Sequence, residues 1–187
     1  MDKLGFALCG SFCTHAQALG VLRDLVSDYD VTPIVSETAA SVSTRFGTAE
    51  ALIGTLTGLT GKTPVSHIVD AEALGPTCPV DLMMICPATG NTLAKIAHGI
   101  TDSAVTMAAK AHLRSDRPLL VALASNDAMS ANLANIGMLL NRKNVFFVPM
   151  KQDDPEKKPH SLVADFSLCR AALGEMKRGR QLRPLFL

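Results

Sequence analysis

The chain reads as an α/β protein, an open, doubly wound sheet of parallel strands held between two layers of helices. Two observations predict this. Short apolar runs of strand length alternate along the chain with stretches whose apolar residues recur at helical spacing. Several of those runs end in small, hydroxylated or turn-forming residues that lead directly into the next helix, the alternation expected of β-α-β units.

The fullest instance spans residues 81–113, DLMMICPATGNTLAKIAHGITDSAVTMAAKAHL. Residues 81–86 form a short apolar run suited to a buried strand, and residues 87–92, PATGNT, form the turn. Leu93, Ile96, Ala97 and Ile100 then share one helical face. A second punctuation, Thr101-Asp102-Ser103, opens another helix towards Leu113, with Asp102 or Ser103 as its cap. Strand, small-polar turn and helix present free backbone N–H groups to a phosphate, and oxygens on Thr89, Asn91 and Thr92 would complete such a cradle. Helix caps use the same residue types, so the stretch reads equally as one buried strand and two capped helices.

The remaining elements repeat the pattern. Residues 3–8 give a first strand, residues 9–14 (CGSFCT) a turn, and residues 16–26 a helix. Gly10 permits close approach of the backbone to a ligand, and Ser11 and Thr14 offer hydroxyls near the helix start. This turn lacks the three glycines of a dinucleotide fingerprint. His15 beside it is either a helix-start residue or a ligand to substrate. Residues 30–35 give a second strand, where Pro33 marks an edge position or a strand end, and Ser36-Glu37-Thr38 follow as another small-polar turn. Arg45 stands among small hydroxylated residues before a helix over residues 48–56 and is either a solvated arginine near a helix start or, by its planar fork, an anchor for an acidic substrate. A Gly- and Thr-rich loop is expected over residues 57–62, a short strand over 65–69, and a rigid connection over 74–79. Residues 118–124 give a further strand leading into Ser125-Asn126-Asp127, residues 133–140 a helix, and residues 145–148 the last strand. Residues 151–161 are polar and proline-punctuated, hence a solvent loop, or else a lid or partner-binding segment. Ser161 is expected to cap a final helix running to Lys177. The closing RGRQLRPLFL, basic then apolar, is a poor free tail and is expected to dock on a neighbouring molecule of an assembly.

Composition narrows the function. The chain has 187 residues, enough for one domain over residues 1–187, and is 48% hydrophobic, so it has the material for a substantial core. Eighteen basic side chains against seventeen acidic ones leave a net charge of +1, which argues against electrostatic binding to nucleic acid or membrane. No apolar run is long enough to span a bilayer, and residues 1–10 do not read as an export signal, so a cytoplasmic protein is expected. The five cysteines are odd in number and sit mostly in apolar surroundings, which reads as reduced thiols. Cys9 and Cys13 are four apart, but no second pair of suitable spacing accompanies them, so no metal site is expected.

The wording of the central stretch closely resembles the signature of the flavoprotein family that includes the flavin-containing cysteine decarboxylases and the flavin prenyltransferases. The matching positions are Pro87, Thr89, Asn91, Thr92, Ala97, Gly99, Ile100, Asp102 and Thr106. The CGSFCT turn also resembles the turn that opens the family. The resemblance implies a Rossmann-like, flavodoxin-like fold and an FMN site made by Gly10, Ser11, Ser36, Thr38, Pro87, Thr89, Asn91, Thr92, Asp102, Thr106 and Ser125. It also implies homo-oligomers, trimers or multiples of trimers.

Departures from the family pattern bear on the reaction. The decarboxylases carry a His-Ile-x-Leu segment before the central strand, where this chain has Ala71-Glu72-Ala73-Leu74, with His67 the nearest histidine. Their Pro-Ala-Met-Asn is replaced by Ala124-Ser125-Asn126-Asp127, and the Arg-Glu pair of the prenyltransferases is absent there. The combination of CGSFCT, STRFG, LGP, PATGNTLAK and QDDPEKKP resembles in particular a branch of spore-forming bacteria, and that resemblance implies oxidation of a dihydro- or tetrahydropyridine precursor to a pyridine dicarboxylate beside a Rossmann-fold partner protein. That resemblance implies a small acidic substrate, with Arg45 as first cationic anchor and Lys95 and Lys110 next. Asn126 and Asp127 are the candidate catalytic residues, and flavin-linked decarboxylation, prenyl transfer or a purely structural partner role are the alternatives.

Overall fold

The structure, a computed structural model, describes residues 1–75, 77 and 79–187. Cys78 and part of the connection expected over residues 74–79 lie outside them. Among the described residues, seven strands and eight α-helices follow in the order β1 (Asp2–Leu8), α1 (His15–Leu25), β2 (Tyr29–Val35), α2 (Glu37–Ser41), α3 (Ala49–Thr60), α4 (Ile68–Glu72), β3 (Leu82–Ala88), α5 (Gly90–His98), α6 (Ala104–Leu113), β4 (Leu119–Ser125), α7 (Leu133–Leu140), β5 (Val145–Phe147), β6 (Met150–Lys151), β7 (Leu162–Ala164) and α8 (Cys169–Lys177). A single 3-10 turn precedes each of α1 and α8.

Strands β2, β1, β3, β4 and β5 lie side by side in that order and are all parallel. The chain therefore reverses its direction of winding between β1 and β3. Open sheets of this kind bind ligands outside the carboxyl ends of the strands at that switch point. Pro33 sits on β2, at the edge, as its missing N–H requires.

The sheet divides the core into two apolar layers because strand side chains alternate between faces. Leu4, Phe6 and Leu8 of β1, Met84 of β3 and Leu120 of β4 belong to the layer with Leu22 and Leu25 of α1 and Leu173 of α8. Ala7, Met83, Ile85 and Val121 belong to the other, with Leu93 of α5, Val105 and Ala108 of α6 and Ile136 of α7. Helix starts are capped as the hydroxyl-rich turns predict: Ser36, Thr48, Thr89 and Ser103 each accept from a backbone N–H in the first turn of α2, α3, α5 and α6. Ser103, not Asp102, caps α6, and Thr106 returns the bond to complete a capping box.

Several sequence expectations are corrected. The loop expected over residues 57–62 is mostly helix, because α3 continues to Thr60 and tolerates Gly58. Val65 makes only an isolated bridge to Ile34, and the expected strand gives way to α4. β3 runs on through Pro87 to Ala88, with its pairing to β4 shifting register between Ile85 and Ala88. The sheet is mixed, since β5 is not the last strand: β6 and β7 pair antiparallel, and β7 pairs antiparallel with Ala124 and Ser125 at the end of β4. Both strands are too short to show a period. Ser161 consequently caps no helix; Asp165 accepts from Ser167 N to open the turn before α8. Within the chain the C-terminal tail runs along Met150, whose N donates to Leu185 O and whose O accepts from Leu187 N, and Phe186 and Leu187 keep about half of their surface exposed.

His112 on α6 is almost fully buried. Its Nε2 donates to Pro118 O at 2.9 Å, and its Nδ1 is buried with no partner among the described residues. Burial pushes its pKa down to about 4. The unfolded ring titrates near the ordinary value of about 6.5, so between the two values the unfolded chain binds the extra proton. Stability contributed by His112 is thus full above about pH 6.5 and lost as pH falls towards about 4, at up to about 1.4 kcal/mol per pH unit. Urea denaturation at about pH 7, 6 and 5 should show this slope, and His112→Leu should flatten it over the same window.

Candidate functional site

At the switch point the loop after β1 faces the start of α5. Cys9 N donates to Pro87 O at 3.1 Å, so the two strand ends are tied together. Cys9 itself is buried, its thiol pushed up to about 11 by burial, and it receives a hydrogen bond from Thr92 Oγ1 at 3.3 Å. Thr89 Oγ1 accepts from Thr92 N at 3.1 Å, which leaves the N–H groups of Gly90 and Asn91, in the first turn of α5, without intrahelical partners. Gly99 ends the helix in the left-handed conformation.

Two hollows meet along this line. One, of about 390 Å³, is lined by Gly10, Ser36, Glu37, Thr38, Thr89, Asn91, Thr92, Lys95, Asp102 and Ser103. The other, of about 740 Å³, is lined among others by Gly10, Ser11, Phe12, Cys13, Phe46, Thr89, Gly90, Ser125, Asn126, Lys151, Asp153, Lys158 and Phe166. Gly10 and Thr89 line both, so the two make a single two-lobed depression. The smaller lobe is polar and carries the helix start; the larger has aromatic walls and a rim of paired charges.

Most of the residues singled out in the sequence come together here, and some do not. Gly10, Ser36, Thr38, Thr89, Asn91, Thr92, Asp102 and Lys95 line the small lobe, while Ser11, Ser125 and Asn126 line the large one. Pro87 is buried within β3, and Thr106 commits its hydroxyl to the capping box; neither lines a lobe. Lys95 is paired with Asp102 at 2.8 Å. Arg45 lies over the Phe46 ring, 4.8 Å from its centroid, and lines neither lobe. Lys110 lines neither lobe, and His67 is exposed and likewise outside both. His15 lies beside the site, half-buried, with Nε2 donating to Cys9 O at 2.7 Å. Among the described residues no three side chains of His, Cys, Asp or Glu gather as a metal would need.

Sequence reasoning missed two features. Lys151 and Lys158, read as part of a solvent loop, stand on the rim of the large lobe. Lys151 pairs with Asp165 at 3.0 Å and Lys158 with Asp153 at 2.7 Å. The signal available was their placement in the loop entertained as a lid. The second is a polar chain behind Ser125. Asp127 accepts from Ser125 Oγ and from Asn132 Nδ2, the latter at 3.0 Å; Asn132 Oδ1 accepts from Asn135 Nδ2 at 2.9 Å; Asn135 Oδ1 accepts from His98 Nε2 at 3.0 Å.

The polarity of this chain follows from its one acceptor-only member. The Asp127 carboxylate forces Ser125 to donate to it, so the Ser125 hydroxyl presents lone pairs to the cleft. The Ser125 bond and, after it, the Asn132 bond hold Asp127 below the usual carboxylate range. A carboxylate held in this way orients its neighbours. Gly90 fits against the same cluster. A Cβ there would lie 2.5 Å from Ser125 Oγ, 2.6 Å from Asn132 Nδ2 and 2.7 Å from Asp127 Oδ1. Gly90→Ala should cost about 1–3 kcal/mol by overpacking. At Gly54, in α3, no atom stands within 4 Å of a Cβ, and Gly54→Ala should stabilise by about 0.5–1 kcal/mol. Urea midpoints of both variants against the parent would check the contrast.

Comparison with known proteins agrees with this architecture. The family model described as Flavoprotein matches residues 2–177. The chain is 40% identical to the B subunit of dipicolinate synthase from Bacillus subtilis (strain 168) over 186 residues, 99% of this chain and 93% of that relative. The crystal structure of the B subunit of dipicolinate synthase from Bacillus halodurans is similar at a TM-score of 0.91 and 38% identity, covering 100% of this chain and 96% of that one. The FMN-dependent cysteine decarboxylase SpaF is similar at a TM-score of 0.67 and 25% identity, covering 96% of this chain and 97% of that one. Matched by the family model from the first strand to the end of the last helix, and 40% identical to a relative over nearly its whole length, the chain belongs to the flavoprotein family.

Proposed function

We propose that the two-lobed depression binds FMN and that the chain is the flavin-linked B subunit of a dipicolinate synthase. It works with the Rossmann-fold A subunit of that enzyme to oxidise a dihydrodipicolinate-pathway intermediate to pyridine-2,6-dicarboxylate. The observation that carries the reading is the convergence of the loops after β1, β2 and β3 on one depression at the switch point, in a chain 40% identical to the B subunit of a dipicolinate synthase.

The residues present fit the cofactor. The start of α5 offers two N–H groups without intrahelical partners and the positive end of a nine-residue helix, with the hydroxyls of Ser36 and Thr38 beside them, a donor set suited to a phosphate. A Cβ at Gly10 would project towards Phe12 and Thr38, between the two lobes. In this reading Gly10, Ser11, Ser36, Thr38, Thr89, Asn91, Thr92, Asp102 and Ser125 hold the cofactor, while Pro87 and Thr106 shape the frame beneath it. When bound, FMN supplies an acceptor for the hydride that aromatisation of a dihydropyridine gives up.

The chain's own residues bind and orient. Ser125 offers an acceptor to a donor on the bound group. Lys151 and Lys158 each give one hydrogen bond to an aspartate and keep further N–H donors for the substrate carboxylates. They take the part that sequence reasoning gave to Arg45. Asn126 lines the large lobe and remains a candidate for substrate contact.

Titration of the purified chain with FMN should give a saturable, retained visible band. Gly10→Val and Asn91→Ala should each raise the dissociation constant about tenfold or more, the worth of about one good hydrogen bond or steric contact. A chain that stays colourless alone and with its A-subunit partner would overturn the flavin reading. In the reconstituted pair, Lys151→Gln and Lys158→Gln should raise KM for the dihydropyridine substrate about tenfold with FMN retained, and Arg45→Gln should leave it unchanged. Equal KM values in all three variants would remove the lysines from the site.

A further inference from the structure

The hydroxyls of the two lobes offer opposite things. In the large lobe Ser11 Oγ donates to Ala124 O and Thr14 Oγ1 to Ser11 O, both at 2.8 Å, Thr89 Oγ1 donates to Thr92 Oγ1 at 3.0 Å, and Ser125 Oγ donates to Asp127. Among the described residues these four are the hydroxyls that line that lobe. A hydroxyl has one proton to give, and carbonyl and carboxylate oxygens only accept. Thr92 Oγ1 gives its own proton to Cys9 Sγ. From all four hydroxyls, only lone pairs remain for a ligand in the large lobe. In the small lobe Ser36 Oγ accepts from Ala39 N, and among the described residues neither Ser36 nor Thr38 gives its hydroxyl proton to a protein acceptor.

Asp127 fixes this polarity at Ser125. The Ser125 bond and, after it, the Asn132 bond hold Asp127 below the usual carboxylate range, so it is an acceptor at neutral pH. Asn132 Nδ2 donates to it, and the amides of Asn132 and Asn135 are oriented in turn as far as His98. Phe12, Phe46 and Phe166 give the large lobe the walls that suit a planar ring, while the small lobe has the helix start and the hydroxyl protons that suit a phosphate. In the flavin reading above, the isoalloxazine ring therefore belongs in the large lobe. Oxidised isoalloxazine carries one ring N–H, and two further ring nitrogens present lone pairs. Full reduction takes up one hydride and one proton and turns both into N–H donors. A dihydropyridine that becomes a pyridine gives up one hydride and one proton, so the exchange balances.

We propose that the large lobe binds the reduced ring of FMN more tightly than the oxidised ring, with Ser125 as an obligate hydrogen-bond acceptor and Asp127 as the positioning residue that keeps it one. The proposal rests on the flavin reading. A ligand lone pair turned towards Ser125 meets lone pairs, whereas an N–H there gains a bond. One such bond is worth about tenfold in affinity. The site thus biases FMN towards accepting a hydride, the direction that oxidation of a dihydropyridine requires.

The test is the midpoint potential of the FMN-loaded full-length chain, read at about pH 7 by equilibration with a reference dye, together with the dissociation constant of oxidised FMN. Binding the reduced form about tenfold more tightly raises the potential of this two-electron couple about 30 mV above that of free FMN. Ser125→Ala should remove about that shift. Asp127→Asn separates polarity from charge. Its amide oxygen must face Asn132 Nδ2, so its NH₂ faces Ser125, which then turns its proton into the lobe. The potential should fall about 30 mV or more below that of the parent, whereas loss of a negative charge acting alone would raise it. A rise in Asp127→Asn overturns the proposal. So does Ser125→Ala at the parent's potential with both forms of FMN weakened alike, because the serine then meets a donor present in both. Circular dichroism checks the fold of each variant, and either variant alone decides the matter. A parent chain that binds no FMN overturns the flavin reading and the proposal with it. A parent chain that binds FMN at the potential of free FMN overturns the proposal and leaves the flavin reading standing.

Discussion

Everything at the candidate site depends on how closely the first turn of α5 approaches the loop after β4. That approach leaves no room for a side chain at position 90, where Ser125, Asn132 and Asp127 crowd the space a Cβ would take. The helix start is thereby packed against a hydrogen-bonded cluster and aimed into the depression. The cluster is held in turn by the buried amides of Asn132 and Asn135 and, at its far end, by His98. The two asparagines are buried and satisfied, which holds the middle of the network, while Asp127 and His98 lie nearer the surface. The geometry of the cradle is therefore a property of the junction between α5 and β4 as much as of the cradle's own residues.

Asp127 sits at the centre of the cluster beside the cleft. A carboxylate at a strand end beside a cleft is a natural candidate for a base. Here its oxygens accept from Ser125 and Asn132, and those bonds keep it ionised and engaged. What faces the cleft is the serine that Asp127 orients. The cations around the depression are paired too: Lys95 with Asp102 at the small lobe, Lys151 with Asp165 and Lys158 with Asp153 at the large one.

Much of the frame was legible in the sequence because it is encoded locally. Strand-length apolar runs, hydroxyl caps and helical spacing located β1 to β4 and most of the helices, and the Thr89 to Thr92 turn located the small lobe. What was not legible depends on contacts far apart in the chain. β6 and β7 have two and three residues, too few to show a period, and they exist because they pair with each other and with the end of β4. That pairing carries Lys151 and Lys158 to the cleft. Gly90 reads as one residue of the 87–92 turn, and Asn132 and Asn135 as ordinary polar residues, until the fold brings them together. Arg45 stacks over Phe46, which lines the large lobe, and does not line either lobe itself.

The C-terminal tail has a consequence for how the molecule keeps apart from its neighbours in solution. A sheet edge with unpaired N–H and C=O groups is a template for adding a foreign strand. β6 lies at the end of the antiparallel part of the sheet, and residues 185–187 run alongside Met150, taking up its backbone N–H and C=O. At the other edge, β2 carries a proline and is partly covered by the bridge from Val65. The tail thus works as an edge guard, and a chain lacking it would present an unprotected strand next to an apolar core, the arrangement from which sheet-mediated aggregation starts.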